Sequence, residues 1–116
     1  MRVRRKFGFE AAHRLPHHPG KCRRPHGHSY RLVVTVERAV DPATGLAIDF
    51  GDLKQVVNRE VVAVVDHRDL NEMIDNPTAE RIAEWIWGRL TGPLPGLVEV
   101  ELHETRNCSV VYRGEA

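Results

Sequence analysis

The sequence predicts an α+β fold in which a four-stranded antiparallel sheet carries two helices on one face. Near both ends of the chain, apolar and polar residues alternate with the two-residue period of a strand. Between these regions, apolar residues recur at the spacing of a helix. The predicted order is therefore strand, strand, helix, helix, strand, strand. The chain has 116 residues, the size of one domain, and we assign residues 1–116 to that domain.

The first two strands are predicted over residues 3–9 and 29–37. In each of them, apolar residues two positions apart share one face, which we expect to be buried. These residues are Val3, Phe7 and Phe9 in the first strand, and Tyr30, Leu32, Val34 and Val36 in the second.

Two helices are predicted in the middle of the chain. The first follows Asp49, whose side chain can cap a helix N-terminus. The second lies in NPTAERIAEWIWGRL, with Asn76 as the N-cap and Pro77 at the first helical position. Each helix carries an apolar stripe at helical spacing. The stripes are Leu53, Val56, Val57, Val61 and Val64, and then Ala79, Ile82, Ala83, Ile86 and Leu90.

The last two strands are predicted over residues 97–105 and 108–113, joined as a hairpin by a short link. The apolar face of the first of these strands consists of Val98, Val100 and Leu102. Cys108 begins the second, and we expect it to be a small core residue.

Composition excludes several classes of protein. Lys and Arg number 17 against 16 Asp and Glu, so charge gives no reason to expect a nucleic-acid or membrane partner. No apolar run is long enough for a transmembrane helix, and the N-terminus lacks the pattern of a signal peptide. Two cysteines are too few for a disulfide scaffold, which favours a cytoplasmic protein.

Histidine clustering is the first functional signal, since five of the seven histidines lie within residues 13–28. His13 continues the apolar face of the first strand, and His26 and His28 continue that of the second. Pairing of these strands would bring the three imidazoles together. Three imidazoles with an open fourth position are typical of a catalytic zinc, and neutral nitrogen ligands favour Zn²⁺ over Mg²⁺. The alternative is that each is an ordinary histidine at a strand end.

Cys22 lies in a basic stretch four positions before His26. Its neighbours Lys21, Arg23 and Arg24 favour the thiolate, which can act as a base or a nucleophile. A structural zinc closed by Cys22 and the three histidines is the alternative that the spacing leaves open.

Glu104 follows the apolar face of its strand, where a carboxylate is costly unless it is paired or hydrogen-bonded. It is either an anchor for a ligand with several N–H donors, a buried ion pair, or a strand-end residue turned to solvent. Asp66 precedes His67, and an aspartate can orient a histidine for proton transfer. Such pairs are also common at helix ends.

Six segments, in order along nearly the whole chain, resemble the 6-pyruvoyltetrahydropterin synthase family. They are FEAAHRLP, CRRPHGHSY, IDFGDLK, DHRDLN, NPTAERIAEWIW and ETRNCSVVYRG. The resemblance implies the tunnelling fold, in which subunits assemble around a pore as trimers or hexamers. It also implies pterin sites between neighbouring subunits.

The resemblance further implies a role for each candidate site residue. His13, His26 and His28 match the zinc ligands, Cys22, Asp66 and His67 the catalytic triad, and Glu104 the glutamate that holds the pterin ring. Thr78 and Glu80 match a further part of the pterin pocket. Lys21, Arg23 and Arg24 are candidates to meet a triphosphate, with a solvated basic loop as the alternative.

Within the family, the three residues between Cys22 and His26 resemble the bacterial 6-carboxy-5,6,7,8-tetrahydropterin synthases of the queuosine and deazapurine pathway. The implied reaction converts 7,8-dihydroneopterin triphosphate to 6-carboxy-5,6,7,8-tetrahydropterin and releases acetaldehyde and triphosphate. The first alternative is a 6-pyruvoyl product formed without carbon–carbon cleavage. The second is a non-enzymatic zinc module.

Overall fold

The computed structural model describes residues 1–115, which form a five-stranded mixed sheet with helices packed against one face. The strands are β1 (Arg2–His13), β2 (His26–Glu37), β3 (Arg68–Asp69), β4 (Leu97–His103) and β5 (Ser109–Tyr112), in the sheet order β3-β1-β2-β4-β5. The helices are α1 (Phe50–Val57), a π-helical segment (Asn58–Val62), α2 (Ala63–Val65) and α3 (Ala79–Leu90), with 3₁₀ turns at Lys21–Arg23 and Leu70–Glu72. None of the described helices is long and apolar enough to cross a membrane.

The predicted α+β class is confirmed, but the prediction of four antiparallel strands is wrong. β3 has only two residues, and it pairs in parallel with Ala11 and Ala12 of β1. So short a strand shows no alternation of apolar and polar residues, and only its backbone places it in the sheet. The sequence pattern therefore could not reveal it.

The predicted faces of the first two strands are confirmed. β1 and β2 pair antiparallel along their whole length, with Phe9 opposite Tyr30. These two rings stack with their centroids 5.0 Å apart. The alternate residues from Phe7 to His13 on β1 are buried, as are those from Tyr30 to Val36 on β2. Within residues 1–115 no helix covers the opposite face of the sheet at Lys6, Gly8, Glu10 and Arg31, which are exposed.

The first helical segment begins as predicted, because the Asp49 side chain accepts the backbone N–H groups of Gly51 and Asp52. Its fully buried residues lie four positions apart: Leu53, Val57, Val61 and Val65. The π-helical segment explains this spacing, since its turns hold more residues than α-helical turns. As a result Val65 is fully buried, whereas the predicted Val64 is only partly buried.

The predicted start of the second helix is wrong by two residues. Thr78 is the N-cap of α3, and its hydroxyl accepts the backbone N–H of Arg81. Asn76 adopts a left-handed conformation, with φ of 47°, so the helix cannot begin there. The chain turns at Asn76 and Pro77 and enters the helix only afterwards.

Two expectations for the C-terminal hairpin are also wrong. The register between β2 and β4 shifts at Thr35 and Val36, so that Leu97 rather than Val98 packs against the core. Cys108 is exposed and precedes β5, because that strand begins only at Ser109.

Candidate metal and catalytic site

Pairing of β1 and β2 brings the three predicted histidines together. His13 lies directly opposite His26, and His28 lies opposite Ala11, two positions away on the same face. The three imidazole centroids are 4.6 to 5.0 Å from one another. The three histidines therefore lie on the same face of the paired strands, as the sequence predicts, and form a cluster.

Backbone carbonyls orient two of these rings. Nδ1 of His13 lies 2.8 Å from the Pro77 carbonyl oxygen, and Nδ1 of His26 lies 2.8 Å from that of Arg24. A carbonyl can only accept a hydrogen bond, so each Nδ1 carries the proton. Nε2 of each neutral ring is then left with its lone pair free, as a metal ligand requires.

Tyr30 adds a second contact to His13. Its hydroxyl oxygen lies 3.2 Å from the same Nδ1 atom, and its side chain is fully buried between the sheet and the helices. Burial, together with the negative charge of Glu104, raises the pKa of Tyr30. The hydroxyl therefore stays neutral and can accept the His13 N–H.

Glu104 joins the histidine cluster within the same chain. Its Oε1 atom lies 3.1 Å from Nε2 of both His13 and His28. When His13 is protonated at Nε2 as well, its hydrogen bond to Glu104 is the main cause that lowers the pKa of that carboxyl, and burial opposes it. Burial lowers the pKa of His28, which Glu104 partly offsets. The sequence predicts a buried ion pair as one alternative for Glu104, but it does not identify His13 and His28 as the partners.

The four side chains fit a metal ion. Their ligand atoms all lie within 4.8 Å of one another, and atoms about 2.0–2.1 Å from a tetrahedral zinc lie roughly 3.3 Å apart. Among residues 1–115, the Nε2 atoms of His13 and His28 are buried without a hydrogen-bond partner. A lone pair and a carboxylate at such distances repel one another unless a cation lies between them, and a bound metal ion would supply that charge.

Cys22 lies outside this group of ligand atoms. It sits in the middle of the first 3₁₀ turn, is partly buried, and has its carbonyl oxygen bound by the Leu15 N–H at 2.8 Å. This bond and the contact between Arg24 and His26 tie the turn to the ends of both strands. The cluster in the structure thus consists of three histidines and Glu104. It differs from the alternative site closed by Cys22 and three histidines.

Asp66 and His67 are docked on the edge of β1 next to the cluster. The Asp66 carboxylate accepts the Glu10 N–H at 2.9 Å, and the His67 N–H donates to the Glu10 carbonyl. His67 Nδ1 lies 3.1 Å from Asp66 Oδ2, and the His67 side chain is 77% exposed. The Glu10 N–H is the main cause that lowers the pKa of Asp66, with His67 adding to it.

Two cavities adjoin the cluster. One of about 470 Å³ has His28, Ser29 and His67 in its wall, and so connects the cluster to the Asp66–His67 pair. The other, of about 500 Å³, has His28 and Glu104 in its wall. It lies beyond the end of β4, which pairs with β2 only as far as Arg31, so among residues 1–115 no strand pairs with this edge of β2 from His26 to Tyr30, although β1 still pairs with the other edge.

The remaining predicted residues lie in two other places. Thr78 and Glu80 border a separate cavity of about 390 Å³ between α3 and β5, and the Thr78 hydroxyl is used in capping the helix. Lys21, Arg23 and Arg24 are exposed in and next to the first 3₁₀ turn.

The sequence pattern did not identify the contacts of Pro77, Tyr30 and Glu10. A tyrosine hydroxyl on a core face beside two histidines could have indicated Tyr30, because a buried hydroxyl needs a partner. The Pro77 and Glu10 contacts are made by the backbone, which leaves no signal in residue types.

Comparisons with known proteins agree with this fold and identify the family. A family model described as PTPS, 6-pyruvoyl tetrahydropterin synthase, matches residues 2–115. The chain is 42% identical over 117 residues to a Synechocystis 6-carboxy-5,6,7,8-tetrahydropterin synthase, covering 95% of this chain and 91% of the relative. It is 37% identical over 134 residues to the Homo sapiens 6-pyruvoyl tetrahydrobiopterin synthase, covering 97% and 91%. The Caenorhabditis elegans 6-pyruvoyl tetrahydropterin synthase structure matches with a TM-score of 0.90 at 28% identity, covering 99% and 96%. The chain belongs to the 6-pyruvoyl tetrahydropterin synthase family.

Proposed function

We propose that the protein is a zinc-dependent 6-carboxy-5,6,7,8-tetrahydropterin synthase, a carbon–carbon lyase. It converts 7,8-dihydroneopterin triphosphate and one water to 6-carboxy-5,6,7,8-tetrahydropterin, acetaldehyde and triphosphate. The observation that carries the proposal is the cluster of His13, His26 and His28, which adjoins a cavity walled by Glu104.

Zinc fits the donor set because three imidazole nitrogens with free lone pairs suit a borderline-soft ion. When bound, it would act as a Lewis acid that makes the hydroxyl protons of the substrate side chain easier to remove. His13, His26 and His28 would hold it, and carbonyl contacts at two of the rings keep their Nε2 atoms directed inward.

Proton transfer is assigned to three residues. Cys22 removes a proton from the substrate side chain as the general base. His67 carries a second proton between the side chain and the pterin ring. Asp66 orients His67 through the 3.1 Å contact and is itself held by the Glu10 backbone. The exposure of His67 leaves its ring free to reach a ligand in the cavity it shares with His28.

Glu104 holds the pterin ring by accepting its N–H donors, and Thr78 and Glu80 form a further part of the pterin pocket. This arrangement requires the Glu104 carboxylate to serve the ligand in the cavity rather than to close the coordination shell. Exposed sheet edges favour a homo-oligomer, a trimer or a hexamer, because pairing edges around a ring removes unpaired backbone groups.

A 6-pyruvoyl product is the second candidate, favoured by the identity shared with the human relative over 97% of the chain. Two observations favour the 6-carboxy product instead. Only three residues separate Cys22 from His26. The alignment to the cyanobacterial relative spans 117 residues against 134 for the human one, and so contains fewer insertions.

Product analysis separates the two reactions. Zinc-loaded protein with 7,8-dihydroneopterin triphosphate should release one acetaldehyde for each triphosphate. Triphosphate without acetaldehyde, with a 6-pyruvoyl pterin as product, would overturn the 6-carboxy assignment. Triphosphate release from neither zinc-loaded nor zinc-free protein would reject the enzymatic function.

A further inference from the structure

Two adjoining cavities share a pair of arginines. The cavity of about 500 Å³ has Glu104, His28, Arg31 and Arg106 in its wall. A second cavity, of about 350 Å³, has Arg31, Arg106 and Lys6 in its wall. The two arginines therefore border a path that leads from the histidine cluster to the helix-free face of the sheet.

These three cations lack carboxylate partners within the part of the chain that the structure describes. Seven other arginines pair with glutamates: Arg2, Arg4, Arg59, Arg68, Arg81, Arg89 and Arg113. Glu101 lies near the same path, but its carboxylate is 3.3 Å from His103 and accepts the Ser109 hydroxyl. Unpaired cations in a cavity wall are available to bind an anionic ligand.

Arg31 is held in position by its surroundings. Its guanidinium folds back over Gly8, its cross-strand partner, and Nη1 donates to the Tyr30 carbonyl oxygen at 3.2 Å. A Cβ atom at Gly8 would lie 2.6 Å from Nη1, so only glycine leaves room for this arrangement. A guanidinium fixed in this way loses little freedom when it binds phosphate oxygens.

We propose that Arg31 and Arg106, with Lys6 beside them, bind the triphosphate group of the substrate. This assignment rests on the proposed function and adds the residues that recognise the leaving group. In the proposed function Glu104 holds the ring end of the substrate, and its carboxylate is in the wall of the same cavity, 3.1 Å from Nε2 of His13 and of His28. The anionic end then extends toward the arginines, whose planar forks match phosphate oxygens.

The test compares two fluorescent ligands, neopterin triphosphate and neopterin, titrated into the zinc-loaded protein. Their oxidised ring is not the dihydro form that reacts, so binding is measured without turnover. Arg31→Gln and Arg106→Gln should each weaken neopterin triphosphate about tenfold and leave neopterin unchanged. Lys54→Gln, which removes one exposed charge on α1, is the matched control and should change neither affinity.

Gly8→Ala keeps the charge of Arg31 but displaces its guanidinium, and should also weaken only the triphosphate ligand. Arg31→Lys should recover part of the loss, since it restores charge without the fork. Equal affinities for the two ligands in the unmodified protein would overturn the proposal. The proposal would also be overturned if the affinity for neopterin triphosphate fell only in a variant with Lys21, Arg23 and Arg24 all changed to glutamine. Failure of the unmodified protein to bind neopterin at all would reject the pterin function and, with it, this assignment. The two preceding outcomes would overturn only the assignment of the arginines.

Discussion

The Nδ1 atom of His13 lies 2.8 Å from the carbonyl oxygen of Pro77, although the two residues are 64 positions apart. This contact joins the end of β1 to the turn before α3. Asn76 holds that turn in the left-handed region, with φ of 47°, and its carbonyl accepts the Thr78 N–H at 2.7 Å. The turn therefore directs the Pro77 carbonyl at a candidate metal ligand.

Changing Asn76 should alter zinc binding without touching any ligand. Asn76→Val places a β-branched residue in a left-handed conformation, which it adopts poorly, so the Pro77 carbonyl should move. We expect zinc affinity to fall about tenfold, as for other losses of a group that orients a metal-binding histidine. Competition with a chelating dye measures this. Asn76→Gly, which tolerates the same φ, is the matched control and should retain zinc. Equal zinc affinity in both variants would show that the turn does not orient His13.

Glu104→Gln separates two roles of this carboxylate. As the anchor of the pterin ring, it should lose about 1.5–3 kcal/mol of pterin binding free energy, because a charged acceptor is replaced by a neutral amide. The zinc content should stay near one per chain. Titration calorimetry and metal analysis measure the two quantities.

His28→Ala is the comparison for that variant, and it should lose both zinc and activity, since it removes one of three imidazole ligands. Loss of zinc from Glu104→Gln as well would make Glu104 a metal ligand rather than a ring anchor. Full zinc in His28→Ala would refute the histidine site.

The parts of this site that side-chain alternation encodes could be predicted from the sequence. The shared phase of His13, His26 and His28 follows from strand period alone, and the register bears it out. The position of Asp66 depends instead on the Glu10 backbone and on the two-residue strand β3, neither of which has a residue-type signal. The Asn-Pro pair predicts a helix cap at Asn76, but the positive φ of that residue makes a turn, and the cap of α3 is Thr78.

Asp66 should titrate below its ordinary pKa of 3.8, mainly because its carboxylate accepts the Glu10 N–H. Its ionised form therefore stabilises the folded state at pH above that ordinary value. This contribution is lost as the pH falls through the lower pKa of the folded protein. Carboxyl-carbon NMR measures the titration. In His67→Ala the pKa should remain lowered, because the backbone donor is still present. A return to the ordinary value in that variant would make His67 the main cause.

The sheet edges should be paired in an oligomer of at least three chains, with six expected from the family resemblance. β5 lies at one edge, where Val111 is 50% exposed. Val111→Lys places a charge on this edge and should shift the protein toward monomers. Light scattering measures the mass, and zinc content checks that each chain still folds. An active monomer of the unmodified protein would contradict a site shared between subunits.

Cys22→Ala should keep zinc and the fold but lose turnover by about 10²–10⁴-fold, the range for removal of a general base. The expectation follows from the position of Cys22 in a turn tied to both strand ends, outside the group formed by His13, His26, His28 and Glu104. Metal analysis and turnover are measured on the same sample, with thermal unfolding as the check on folding. In the cobalt-substituted unmodified protein, the strong charge-transfer band of a thiolate ligand should be missing. A thiolate band, or loss of zinc from Cys22→Ala, would instead establish the closed site of one cysteine and three histidines. That result would also remove the base on which the proposed reaction depends.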